Sequence, residues 1–166
     1  MLKIEPVKDV NQIADIQGLL RGYFEWFFEL VPGSSEVAAF SGWEQKINAL
    51  PSRYFPPSGC FLLATVDGKA AGCVALISDD PEIGELKRMF VHPAFRGQRI
   101  GERMVESLFE QARLYGYKRV ILDSHRSMTN AHEIYRKLGF GEVDAPTDFP
   151  EELKQVVVFM DRSLLA

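Results

Sequence analysis

The sequence predicts an α+β fold built on one mixed sheet. Runs of β-forming residues alternate with runs of helical periodicity in the order β-α-α-β-β-β-α-β-α-β-β. Short turns join the three consecutive strands, which makes those strands antiparallel. A strand–helix–strand unit follows, and its connection is expected to be a right-handed parallel crossover. We therefore expect an antiparallel N-terminal half of the sheet and a parallel β-α-β unit in its centre.

The N-terminal third is predicted to hold one strand and two helices. A short strand over residues 2–7 precedes a helix from Val10 to Leu30, whose apolar residues recur at helical spacing and for which Asp9 is a plausible N-cap. A second helix is predicted over residues 35–49, and the proline-rich stretch 51–59 is interpreted as a loop. The first helix ends in an aromatic cluster, which we assign mainly to the core and partly to a ligand cleft, and which comprises Tyr23, Phe24, Trp26, Phe27 and Phe28.

The rest of the chain supplies the sheet and two more helices. Asp67-Gly68 is a hairpin signal between two β-type runs, and Asp79-Asp80-Pro81 is interpreted as the next turn. The predicted strands cover residues 60–66, 70–78, 83–91, 118–123, 140–143 and 156–160. The predicted helices cover residues 99–115 and 130–138, and Gly116 and Gly139 are expected to end them.

Length, composition and charge indicate the number of domains and exclude several classes of partner. The 166 residues, 46% apolar and 25% charged, fit one domain spanning residues 1–166, which needs no disulfide or metal for stability. The 19 basic and 23 acidic side chains give a net charge of −4, which argues against a nucleic-acid binder. No apolar run approaches the ~20 residues of a membrane span, and the N-terminus does not resemble a secretory signal. We therefore expect no nucleic-acid partner, no membrane partner and a cytoplasmic location.

Two cysteines, Cys60 and Cys73, both lie in apolar runs. They are too few for a disulfide scaffold and lack zinc-ligand spacing, so we interpret them as core residues and expect no metal site.

The segment from Val91 to Gly101 carries the strongest chemical signal. It lies between a predicted strand and a predicted helix, and it contains two glycines and two arginines. Free amides at a helix start, together with guanidinium groups, suit a pyrophosphate. An ordinary glycine-containing turn with solvated arginines fits the same pattern. The residues of the loop alone do not decide between a pyrophosphate site and such a turn. The sequence contains no P-loop, no GxGxxG dinucleotide motif and no G-x-S-x-G nucleophile elbow.

The segment Arg96–Gly101 (RGQRIG) resembles the acetyl-CoA pyrophosphate loop of the GNAT superfamily of N-acetyltransferases. About forty residues on, Asn130–Phe140 is similar to the second signature of that family, an Asn and a Tyr on a helix that ends in Gly-Phe. The resemblance is good over residues 60–143. One departure is Arg99, which stands where the family motif has its first glycine.

The resemblance implies a site for acetyl-CoA between the fourth and fifth strands, which splay apart in this family. The pantetheine arm would pair with the backbone of the fourth strand, and an amide near the end of that strand would hold the oxyanion. Acetyl-CoA binding is thereby assigned to Met89, Phe90, Val91, Arg96, Gly97, Gln98, Arg99, Ile100, Gly101 and Asn130. Asn130 is also a candidate helix cap.

Two residues are candidate catalysts. Tyr135 lies on the helix whose family counterpart places a phenol near the CoA sulfur, which implies a general acid; a core tyrosine is the alternative. Glu85 on the fourth strand is a candidate general base, placed by strand alternation on the same face as Lys87 and Met89. A solvent-facing carboxylate, or a salt-bridge partner of Lys87 or Arg88, is the alternative, and His125 or a water chain could replace it as base.

The other polar residues receive simpler interpretations. Lys87 and Arg88 are assigned to the surface, with binding of the cofactor's adenosine phosphate as the alternative. His132 is expected to be exposed. The apolar end Leu164-Leu165-Ala166 indicates a buried terminus or a homodimer contact.

The sequence thus predicts an N-acetyltransferase that moves an acetyl group from acetyl-CoA to a primary amine by direct attack in a ternary complex. The acceptor is a small molecule or a peptide. The alternative is a non-catalytic acyl-CoA sensor on the same fold.

Overall fold

The computed structural model describes residues 1–37, 40–50, 54–57 and 59–165. Seven strands form one sheet in the order β1-β2-β3-β4-β5-β7-β6, in which β4 and β5 are parallel and all other neighbours antiparallel. The strands are β1 (Leu2–Pro6), β2 (Gly59–Val66), β3 (Lys69–Asp80), β4 (Ile83–Val91), β5 (Arg119–His125), β6 (Gly141–Val143) and β7 (Val157–Ser163). The helices are α1 (Val10–Leu30), α2 (Trp43–Asn48), α3 (Ile100–Leu114), α4 (Thr129–Lys137) and α5 (Glu151–Lys154). The predicted α+β mixed sheet is confirmed.

Helices cover both faces of the sheet, so the core has two parts. On β2, Phe61 and Leu63 pack with the apolar side of α1, whereas Leu62 and Ala64 pack with α3. This alternation is the period-two pattern of a strand buried on both faces. Cys60 and Cys73 are both buried free thiols, one in each part of the core, as predicted.

Helix α1 begins at a capping box. The Asp9 carboxylate accepts a hydrogen bond from the Gln12 amide at 2.9 Å, and the Gln12 side chain accepts one from the Asp9 amide at 3.2 Å. These two bonds satisfy donors that the first helical turn leaves free, which fixes the helix start where the sequence predicts it. No helix in the described ranges combines the length and apolar character of a membrane span.

Two sequence predictions about elements need correction, and one short helix was not predicted. The helix predicted over residues 35–49 is a 3₁₀ turn, Ser34–Glu36, followed by the short α2, with Gly42 in a left-handed conformation directly before α2. Residues 38 and 39 of that helix, and residues 51–53 and 58 of the predicted loop, lie outside the described residues. The turn predicted at residues 79–81 is displaced, because β3 extends to Asp80, and α5 was not predicted. At the C-terminus Leu164 is buried in the core, whereas Leu165 is exposed and Ala166 lies outside the described residues.

The parallel strands β4 and β5 separate along their length. They pair only at their beginnings, from Ile83 opposite Arg119 to Glu85 opposite Ile121. Beyond Glu85, β4 keeps its pairing with β3, while its other edge pairs with no strand in the described part of the chain. The splayed pair that the family resemblance implies is therefore present, and it opens the sheet toward the carboxyl ends of both strands.

Candidate active site

A β-bulge in β4 shapes one wall of this opening. Cys73 of β3 pairs with Phe90, but Ala75 pairs with Lys87, so two residues of β4, Arg88 and Met89, stand opposite one residue of β3. Arg88 has a φ of 56°, in the left-handed region. The extra residue reverses the alternation of side chains, so Met89 packs with the α3 side of the core. The predicted common face for Glu85, Lys87 and Met89 is therefore wrong.

A cavity of ≈ 690 Å³ occupies the opening, and we call it the strand-gap cavity. Leu86, Met89, Ala131 and Tyr135 line it from β4 and α4, and Tyr23 and Phe27 line it from α1. A cavity of this size, with apolar walls and few polar groups, is typical of a small-molecule or cofactor site. Tyr23 and Phe27 belong to the aromatic cluster that the sequence assigns partly to a ligand cleft, and both line this cavity; that a ligand binds there stays a prediction.

The loop before α3 carries the predicted pyrophosphate site. The Arg96 side chain donates from Nε to the Val91 carbonyl at 3.1 Å, and its guanidinium lies 5.4 Å from the Trp26 ring and 5.6 Å from the Phe90 ring. These contacts hold Arg96 at the end of β4. The first-turn amides of α3, at Ile100, Gly101 and Glu102, have no partner within the helix and can bind an anion.

Arg99 adopts the backbone conformation that favours glycine. Its φ is 60°, in the left-handed region, and it is the residue that directly precedes α3. Its side chain is exposed. The arginine that stands in place of the motif glycine therefore has a left-handed backbone conformation, which favours glycine, and an exposed side chain.

Replacing Arg99 by glycine is expected to stabilise the fold by up to about 1 kcal/mol. A left-handed conformation costs a non-glycine residue about 1–2 kcal/mol, and the greater entropy of an unfolded glycine offsets part of that gain. Denaturant unfolding of Arg99→Gly and of the control Arg99→Ala measures the effect, because alanine removes the side chain and keeps the strain. Equal stability of the two variants would contradict the strain argument.

Tyr135 of α4 is buried at the wall of the strand-gap cavity. Its side chain is 5% exposed, and its ring packs edge-on against Phe140 at 5.6 Å. Burial raises the pKa of Tyr135, so the phenol keeps its proton at neutral pH. Asn130 is an exposed residue in the first turn of α4, and the residue at the N-cap position is Met128; the prediction that Asn130 caps this helix is wrong.

Glu85 and Lys87 form an ion-pair chain that crosses the opening. Lys87 Nζ lies 3.0 Å from Glu85 Oε1 and 3.5 Å from Asp123 Oδ2 on β5. Burial opposes the charge of Lys87, but Asp123 and Glu85 outweigh it and raise the pKa of this ammonium group. Lys87 and Asp123 line the strand-gap cavity, whereas Glu85 is absent from its described lining and is placed as an ion-pair partner of Lys87. The assignment of Lys87 and Arg88 to the surface is wrong, because both line this cavity.

The end of β5 contributes polar groups, of which the sequence analysis named only His125, as an alternative base. His132, predicted to be exposed, is only 3% exposed, and its Nε2 lies 2.9 Å from Ser124 Oγ. Ser124 and His125 line the strand-gap cavity. Burial lowers the pKa of both histidines, which favours their neutral form. The apolar-to-polar change after Leu122 is the one sequence signal that points to this cluster.

A family model for the acetyltransferase (GNAT) family matches residues 19–140. That range contains β2 to β5, the loop before α3, and α4. The chain belongs to the GNAT acetyltransferase family. Within the described residues of this GNAT protein, no group of three or more His, Cys, Asp or Glu side chains is placed to hold a metal ion.

Two relatives and one solved structure show how far the likeness to other GNAT proteins extends. The chain is 37% identical over 83 residues to an IAA acetyltransferase of Azospirillum brasilense, covering 49% of this chain and 54% of that protein. It is 35% identical over 91 residues to the N-acetylaspartate synthetase of Mus musculus, covering 54% and 30%. The PaiA N-acetyltransferase of Thermoplasma acidophilum in complex with coenzyme A has a TM-score of 0.76 and 16% identity, over 98% of this chain and 99% of that one. The chain thus spans about half or less of the length of these two relatives, and the solved structure shows the shared fold.

Proposed function

We propose that this GNAT protein is an N-acetyltransferase that moves the acetyl group of acetyl-CoA to a primary amine of a small molecule or peptide. The observation that carries the proposal is the parting of β4 and β5 around a cavity. The start of α3, whose first-turn amides have no partner within the helix, supports it as a place for the pyrophosphate. The names of the relatives, an IAA acetyltransferase and an N-acetylaspartate synthetase, favour a small acceptor.

The free edge of β4 is the place for the pantetheine arm. Beyond Glu85 this edge pairs with none of the described strands, so the backbone of Met89, Phe90 and Val91 can pair with the amide groups of the arm. The pyrophosphate would lie at the start of α3, where backbone amides and guanidinium groups meet, on Arg96, Gly97, Gln98, Arg99, Ile100 and Gly101. Asn130, exposed in the first turn of α4, is proposed to bind a pantetheine amide.

The proposed acetyl transfer uses the binding positions described above. The neutral amine attacks the thioester carbonyl carbon, and a backbone amide near the end of β4 stabilises the oxyanion. Collapse of the tetrahedral intermediate breaks the C–S bond, and the leaving thiolate takes its proton from the Tyr135 hydroxyl. Before the attack, the ammonium form of the acceptor loses one proton through water to Glu85. The proton that the nitrogen releases as the C–S bond breaks restores the Tyr135 hydroxyl.

The Arg96→Ala variant is expected to weaken acetyl-CoA binding by about 1–3 kcal/mol, because it removes charge-assisted hydrogen bonds to the pyrophosphate. Calorimetric titration measures the change. S-acetylpantetheine, which lacks the pyrophosphate, is the matched control: its kcat/KM should be the same in Arg96→Ala and in the wild type. Equal losses with both donors would show that Arg96 acts through its packing on Trp26 and Phe90.

A panel of amine acceptors, assayed by thiol release, tests the proposed activity as a whole. Release of CoA that depends on the added amine supports an acetyltransferase. Tight acetyl-CoA binding with no release for any amine would instead support a non-catalytic acyl-CoA sensor.

A further inference from the structure

A second cavity, of ≈ 400 Å³, lies between α1, α2 and β2, and we call it the aromatic cavity. Its walls are mostly aromatic and aliphatic, with Phe24, Phe40, Trp43, Tyr54 and Phe61 as the rings. Phe40 also lines the strand-gap cavity, so the two spaces are neighbours. The aromatic cavity lies on the face of the sheet opposite α3, away from the proposed pyrophosphate site. Its chemistry suits the apolar body of a small molecule.

Arg88 lines both cavities. Its guanidinium lies 5.1 Å from the centre of the Phe24 ring, and its backbone stands at the bulge of β4. No carboxylate in the described residues forms an ion pair with Arg88. The segments outside the described ranges contain no Asp or Glu side chain. Within the described residues, the half-buried charge of Arg88 therefore has no acidic side chain as an ion-pair partner.

The neighbouring cation differs in this respect. Lys87 is paired with both Glu85 and Asp123, so its charge is neutralised within the protein. In the aromatic cavity Lys46 is a second cation, and no Asp or Glu is found among its described lining. The electrostatics at Arg88 therefore favour an anionic group on a ligand.

Ser34 supplies a second unused polar group. Its side chain is 6% exposed, lines the strand-gap cavity, and its hydroxyl has no hydrogen-bond partner among the described residues. A buried hydroxyl without a partner is costly, and a ligand that bonds to it removes that cost.

We propose that the acceptor is an amine that also carries a carboxylate and an apolar side chain, as an apolar α-amino acid does. The carboxylate pairs with Arg88, the side chain fills the aromatic cavity, and the amine stays in the strand-gap cavity. In an α-amino acid these three groups branch from one carbon, so one residue shared by both cavities can hold the carboxylate between them. This inference rests on the proposed acetyltransferase activity.

Matched pairs of acceptors with and without the carboxylate test the inference: phenylalanine with 2-phenylethylamine, leucine with isoamylamine, and tryptophan with tryptamine. Thiol release gives kcat/KM for the wild type, Arg88→Met, Arg88→Lys and the control Arg113→Met. Arg113 is exposed in the last turn of α3, far along the helix from the loop at its start. Methionine keeps the length of the side chain and removes its charge.

We expect the wild type to prefer the carboxylate-bearing member of at least one pair by 10-fold or more. Arg88→Met should lower kcat/KM for that member by about 10–100-fold, the range for losing hydrogen bonds to a charged partner, and leave the decarboxylated member within about threefold. Arg88→Lys should retain part of the preference, and Arg113→Met all of it. No preference in any pair, or equal losses for both members in Arg88→Met, would overturn the inference.

A binding measurement separates this inference from the proposed activity. Phenylalanine and leucine are titrated calorimetrically into the CoA-saturated protein and into its Arg88→Met variant. If no amine is acetylated, binding that is at least 10-fold weaker in the variant still supports the carboxylate site. Absence of binding to the wild type would then overturn it.

Discussion

The Tyr135→Phe variant is expected to release thiol about 10²–10⁴-fold more slowly than the wild type, the usual contribution of a positioned general acid. The change removes one oxygen atom from a side chain that is otherwise held by its packing against Phe140. Since burial raises the pKa of Tyr135, the phenol is protonated across the neutral range and can donate to the departing sulfur. The loss should therefore persist unchanged from pH 6 to pH 9.

Single-turnover thiol release with a good acceptor measures this effect directly. Acetyl-CoA affinity, measured by calorimetry, should equal that of the wild type, because the hydroxyl acts on the leaving group. Tyr117→Phe is the matched control, since Tyr117 packs against Tyr115 and is absent from the described lining of the strand-gap cavity. A Tyr135→Phe enzyme with the wild-type rate would show that Tyr135 is a packing residue.

The Glu85→Gln variant is expected to lower kcat/KM by about 10²–10⁴-fold at neutral pH. An alkylammonium acceptor has a pKa near that of lysine, about 10.4, so almost every acceptor arrives protonated and a base must take the proton. Glutamine keeps the shape of the side chain but cannot accept that proton. Lys87 remains paired with Asp123 in the variant, so the ion pair that crosses the opening is kept.

The pH profile of kcat/KM decides the assignment of the base. A base works when deprotonated, so the wild-type rate should rise with pH along an acidic limb, and Glu85→Gln should lose that limb. His125→Gln is the companion variant, because His125 lines the strand-gap cavity and burial lowers its pKa. If the limb survives in Glu85→Gln and disappears in His125→Gln, the base is His125, and Glu85 is an ion-pair partner of Lys87.

Several structural features that depend on residues close together in the sequence were predicted correctly. Helix α1 begins and ends where it was predicted, because Asp9 and Gln12 build its cap and its apolar residues share one face. The two-residue turn at Asp67-Gly68 is present with both residues at positive φ, as a hairpin of this length requires. The loop Arg96–Gly101 and the signature around Tyr135 are each a continuous stretch of sequence, so the family and the candidate acetyl-CoA site could be predicted from them.

Features that depend on pairing between distant segments were decided by the tertiary structure. The bulge at Arg88 arises from the register of β4 with β3, so no pattern within β4 alone predicts it. Because of the bulge, the Met89 side chain lies on the face of the sheet opposite to the predicted one. The same pairing placed Lys87 and Arg88 in a cavity. His132 was predicted to be exposed on its helix, but it is buried because its partner, Ser124, comes from β5. A side chain's face follows from local periodicity only while strand and helix stay regular, whereas its partners follow from how the whole chain packs.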